Sequence, residues 1–207
     1  MGLLMVRRNR IALTFLILLA VIAAGLFVLC RHCPETGIAF SGKRRNFYRL
    51  KNRTALPQLT DFDQNITLER IQAPGEDSTR WSTTRAARLD GYVLAVGAAG
   101  VELANCYLPC SRDTHINLAL QPNATAREQV VLEVTPRMRS RAREQGHDWS
   151  DEALRRELTG HWVHFEGWLL FDWIHAAESE NTAPRVPGNW RATAWEIHPV
   201  TSFQVIR

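Results

Sequence analysis

From residue 86 to the C-terminus, apolar and polar side chains alternate in short runs bounded by turn residues, the period-two pattern of strands with one buried face. Five runs carry it: 86–97, 114–121, 129–135, 161–172 and 190–206. Between the third and fourth the period changes to that of a helix. Ser150 can cap it, Asp151 and Glu152 suit its N-terminal dipole, Leu154 and Leu158 share a face, and Gly160 ends it. The element order is β-β-β-α-β-β.

Upstream the pattern is different. Ile11 to Cys30 is apolar apart from Thr14 and Gly25, long enough to cross about 30 Å of hydrocarbon as a helix. Arg7, Arg8 and Arg10 ahead of it also suit a signal peptide, but the run exceeds an ordinary signal core and no A-x-A site follows. The expectation is a cytoplasmic stub over 1–10 and an uncleaved transmembrane helix over 11–30. Arg31, Lys43, Arg44 and Arg45 balance the basic stub, so charge does not fix the orientation. A short stub stays inside most simply, which sends the remainder across an inner membrane. Residues 31–85, polar and punctuated by Pro34, Pro57, Pro74 and Gly75, read as a linker with one amphipathic turn at Ile66, Leu68 and Ile71. The folded domain is then 86–207.

That element order resembles the OB-fold, a five-stranded Greek-key barrel with its helix between strands three and four. The segments GWLLFDWIH and NWRATAWEIHPVTSFQVI are also similar to the C-terminal part of uncharacterised, membrane-anchored bacterial envelope proteins. The resemblance implies a mainly β domain held outside the cytoplasm and assigns no activity. OB-like barrels host binding and catalysis alike, so function must come from a site.

Charge narrows the partners. Residues 88–207 carry 12 basic and 15 acidic side chains and no lysine, whereas 1–87 carry 13 and 6. A domain without clustered cations makes nucleic acid an unlikely ligand. Arg137, Arg139, Arg141 and Arg143 read as a solvated connection, because Glu144, Asp148, Asp151 and Glu152 follow closely. Of the four cysteines, Cys106 and Cys110 flank a turn at Pro109 and suit a disulfide in an oxidising compartment. Cys30 and Cys33 read as an incidental pair at the membrane boundary.

Alternation assigns sides to the strands. With Ile116 and Leu118 inward, Asp113, His115 and Asn117 share the opposite face; Trp195 and Ile197 leave Glu196 and His198 together; Glu133 and Trp168 join from the third and fourth strands. These seven are the ligand-binding candidates, on what the pattern makes a polar outer face. The pairs Asp113/His115 and Glu196/His198 are spaced to converge on one divalent ion such as zinc. Asp172 and His175 form a third pair whose direction alternation does not fix. No zinc-protease, nucleophile-elbow or phosphate-loop motif is present. Two functions remain: a membrane-anchored extracytoplasmic binding or interaction module, with an envelope protein or saccharide as ligand, and a metal-dependent hydrolase built on the acid/histidine face.

Overall fold

A computed structural model describes residues 13–25 and 33–206. Residues 13–25 are helical (α1), with side chains such as Phe15, Leu16 and Val21 exposed. Among the described residues no helix is long and apolar enough to cross a membrane. Positions 11, 12 and 26–30 of the expected transmembrane run lie outside the described residues.

Residues 35–207 form one compact unit around a closed five-stranded barrel. Its strands are β1 (Ala86–Ala98), β2 (Thr114–Ala119), β3 (Val130–Val134), β4 (Trp162–Phe171) and β5 (Trp195–Val205), in the order β1-β2-β3-β5-β4. β1 closes the ring by pairing twice: Ala86 to Tyr92 run beside β4, and Tyr92 to Ala98 beside β2. β3 and β5 run parallel with Leu132 opposite Ile197, and all other pairs are antiparallel. Where β4 crosses β5 the register slips on either side of Gly167. A Cβ there would lie 2.4 Å from both Ile197 Cγ2 and the Pro199 carbonyl oxygen, so only glycine lets the strands meet so closely.

The barrel is filled as alternation requires, by Leu89, Val93, Ile116, Leu118, Phe165 and their neighbours. Two helices, not one, connect β3 to β4. Besides α5 (Asp151–Leu158), capped by Ser150, the arginine stretch is itself a helix, α4 (Pro136–Glu144). Thr135 caps it, Pro136 occupies its first turn, and Met138 and Ala142 share the buried face. With only two inward apolar positions among the arginines, that helix has almost no periodic signal. The last strand begins at Trp195 rather than 190, because Arg191 and Thr193 turn the chain ahead of it.

The linker expectation needs the larger correction. α2 (Gly42–Lys51), capped by Ser41, inserts Phe47 and Tyr48 against Ala104 and Leu170. α3 (Leu68–Gln72), capped by Thr67, places Leu68 and Ile71, with Ile66, in the main barrel core. Asp77 is buried and accepts from Thr193 Oγ1 and the Ala194 amide, and its carbonyl takes Trp195 Nε1–H. Apolar residues are sparse in 31–85, but those at 47, 48, 66, 68 and 71 are all buried. Cys33, Cys106 and Cys110 are all in disulfides, so Cys33 is not an incidental thiol; Cys30 lies outside the described residues.

Ile71 therefore serves as core. Ile71→Ala removes a fully buried side chain and is expected to cost about 2–5 kcal/mol, read as a lowered urea midpoint at unchanged slope. A change below about 0.5 kcal/mol, ordinary for a surface position, would show 35–85 to be a true linker.

Candidate functional site

The polar side chains expected on the outer face come together there, but the face is not solvated. Leu132 and Ile197 meet in the core across the parallel β3–β5 pair, so the residues beside them, Glu133, Glu196 and His198, are thrown together on the other side. Register adds His115, directly opposite Glu133 on β2. Segments from 35–53, 99–113 and 172–194 then cover this surface. Asp113, Glu133 and Glu196 are at most 2% exposed and His198 is fully enclosed.

Glu133 is the centre of the arrangement. Its Oε1 lies 2.5 Å from His115 Nε2 and its Oε2 lies 3.0 Å from His198 Nδ1. His198 Nδ1 also donates to Glu196 Oε2 at 3.2 Å, and Glu196 Oε1 accepts from Arg191 Nη1 at 2.7 Å. Asp113, at the entrance to β2, takes the Asn105 side-chain amide on Oδ2 at 2.9 Å. Lys51, from the end of α2, bonds Glu102 at 2.6 Å and lies 3.7 Å from Asp172, whose carboxylate also holds His175 at 2.9 Å. The two expected histidines thus meet through one carboxylate.

Electrostatics follow from this crowding. Burial works against the His198 imidazolium, yet the Glu133 carboxylate and the bonds to Glu133 and Glu196 raise its pKa to about 10. Burial also opposes ionised Glu133, but His198, His115 and Lys51 hold it well below the ordinary range. For Asp113, burial and the neighbouring Glu133 charge act together and push the carboxyl up to about 7. Lys51 is desolvated, but four surrounding carboxylates keep it charged, with its pKa raised. His115 is raised by Glu133 against the effect of burial. Its ring stacks on Trp190 at 6.2 Å, forming the partly open rim of the cluster.

The remaining candidates lie elsewhere. Trp168 sits on β4, its ring under Arg53 and its Nε1–H on the Ala55 carbonyl. Asn117 stays on β2 with its Oδ1 buried and unpaired. Lys51, Glu102, Asn105 and Arg191 escape strand-pattern reasoning, because they come from loops and from the segment read as linker. The acids on β2, β3 and β5 call for cations only once their burial is known, which the sequence pattern does not show.

For a metal, the structure groups Asp113, Glu133 and His198, whose ligand atoms lie within 4.8 Å of one another. Asp113 Oδ1 and His198 Nε2 are buried without a hydrogen-bond partner. This set replaces His115 and Glu196 of the expected ligands by Glu133. Lys51, Arg191 and protonated His198 already neutralise the acids, so a divalent ion would have to displace at least the His198 proton. No protein-family model, curated protein or solved structure matches this chain.

The raised His198 sets the alkaline limit of stability. Its contribution is fully present below the unfolded histidine value near 6.5 and is lost as pH rises through about 10. Denaturant unfolding should therefore show stability falling between those values, by up to about 1.4 kcal/mol per pH unit. His198→Gln should flatten that limb. A wild-type profile level from pH 7 to 10 would mean that His198 is buried neutral.

Proposed function

We propose that the protein is a membrane-anchored, extracytoplasmic binding module built on an OB-like barrel, and that its ligand is a saccharide of the cell envelope. The observation that carries binding over hydrolysis is the closure of the acid/histidine face: Glu133, Glu196 and His198 are engaged with one another and with cations, Asp113 is held by Asn105, and all four are buried, out of reach of a substrate. Open concave surface exists beside α4 instead. A cavity of about 410 Å³ lies between α4 and the end of β5, floored by Met138, Trp149 and Phe203 and edged by Arg141, Gln145 and Glu157. An adjoining one of about 290 Å³ shares Trp149 and adds Arg139 and Arg143. An aromatic floor with planar hydrogen-bonding groups at its edge suits a ring that is apolar on its face and polar at its rim.

The anchor rests on the apolar run 11–30, of which α1 presents large apolar side chains without cover. Disulfides at Cys33, Cys106 and Cys110 support an oxidising compartment. Basic and acidic side chains balance at 21 each over 35–207, which keeps nucleic acid an unpromising ligand. A metal-dependent hydrolase is the second reading, favoured by the unpaired Asp113 Oδ1 and His198 Nε2.

Titrating the purified full chain with envelope glycan fragments, followed by tryptophan fluorescence, tests the first reading. Saturable binding that weakens at least tenfold in Trp149→Ala is expected, as loss of an aromatic contact of about 1.4 kcal/mol or more. Absence of saturation, or a Trp149→Ala chain that binds equally, would overturn it. Stoichiometric zinc after dialysis, lost in His198→Gln without unfolding, would shift the assignment to the hydrolase. Protease added to intact spheroplasts should digest the barrel while the chain resists carbonate extraction.

A further inference from the structure

We propose that the outer face of α2 and the loops beside it form a docking surface for anionic phospholipid headgroups, holding the barrel against the membrane that anchors it. The inference rests on the membrane-anchored reading and adds a second, separate contact with the bilayer.

Residues 35–53 contain six basic side chains, at 43, 44, 45, 49, 51 and 53, and one acid, Glu35. Lys51 points inward to Glu102 and Asp172, and Arg53 is taken up by backbone carbonyls of Thr83 and Leu169. Lys43, Arg45 and Arg49 are exposed, and among the described residues none of them has a carboxylate within 4.0 Å. Three exposed cations without a carboxylate partner on one short helix invite an anionic surface.

Apolar and aromatic groups fringe the same helix. Phe40, just before the Ser41 cap, is 82% exposed, and Tyr107 is 61% exposed. Ile38 donates its amide to the Leu103 carbonyl, which also receives Cys106, so the 38–40 segment and the Tyr107 turn are neighbours. On the other flank, Trp173 packs on Phe47 with Lys43 Nζ 4.4 Å above its ring, and Ile174 beside it is 40% exposed. Aromatic rings mixed with lysine and arginine are the composition of a membrane interface.

Chain length decides for a bilayer over another partner. The apolar run ends at Cys30 and Ile38 is already fixed on the barrel, so the span between them is eight residues, at most about 30 Å fully extended. A face that begins eight residues from an anchor is confined near the membrane whether or not it binds. Its cations then act at high effective concentration on the headgroups.

The test uses the full chain reconstituted in vesicles of phosphatidylcholine alone or with 30% phosphatidylglycerol. A photoreactive benzophenone residue replaces Phe40, and in a control chain it replaces Leu59, which is 80% exposed beside the Phe62–Ala86 bridge. Lipid crosslinking at 40, and not at 59, is expected in the anionic vesicles. It should fall at least tenfold in K43E/R45E/R49E, since each basic side chain near such a surface changes occupancy roughly fivefold. No lipid adduct at 40, an adduct to a second protein chain instead, or a yield unmoved by the charge reversals would overturn the docking face. Carbonate extraction of the same samples separates the two readings. A carbonate-resistant chain without adducts at 40 sinks the docking face alone, and a chain that washes off yet crosslinks at 40 sinks the anchor alone.

Discussion

The outer side of β2, β3 and β5 is organised around one buried carboxylate, Glu133, that neighbouring cations keep charged. Glu133 sits between His198 and His115, and an isolated buried carboxylate would cost several kcal/mol. The cost is offset only while the cations stay in position, and they come from separate segments: His198 from β5, His115 from β2, and Lys51 from α2. The barrel supplies the two histidines but not Lys51. The requirement for charge compensation is thus also a requirement that the 35–53 segment and the 172–194 loop be folded onto the strands.

Such a cluster is not by itself strong evidence for stability, since buried ion pairs often contribute little net energy compared with an apolar replacement. Its value is specificity. Glu133 faces His115 with one oxygen and His198 with the other, Glu196 bridges His198 and Arg191, and Asp172 joins Lys51 and His175, so displaced arrangements of the covering loops would leave charges unpaired in a low dielectric. The same closure governs access to the cluster. A working acid/base pair needs a pKa near neutrality and a path for substrate; Asp113 meets the first condition at about 7 and, at 1% exposure, fails the second.

How much of this could be read from the sequence depends on where each residue lies. Strand periodicity put Asp113, His115, Glu133, Glu196 and His198 on one side, because alternation is a backbone property and survives any covering. The burial of that side is not legible in the same way, since alternation says which residues share a face and nothing of what lies over it. The covering segment was hidden by composition: Phe47, Tyr48, Ile66, Leu68 and Ile71 are too scattered in a largely polar stretch to look like core, yet they pack into the two apolar clusters. α4 was hidden for the opposite reason, its arginines concealing a Met138/Ala142 stripe. Trp168 shared a face with the site residues by alternation but lies on β4, where Arg53 and Ala55 occupy it.

α2 joins an exposed basic face to the buried cluster. Its inner side carries Phe47 and Tyr48 into the second apolar cluster and Lys51 into the acid network, while its outer side carries Lys43, Arg45 and Arg49. A helix of ten residues is too short to be stable alone, so its outer charges are displayed in a fixed pattern only because its inner side is packed. The dependence runs the other way as well. Lys51 is one of the cations that allows Glu133 and Asp172 to remain ionised, and it reaches them only while the helix is seated. A force that lifts α2 off the barrel would remove a buried cation from around four carboxylates, whereas one that presses it down leaves the network intact. The charged outer side of α2 and the buried carboxylates therefore both depend on one seated helix, and the barrel strands are the frame against which it is held.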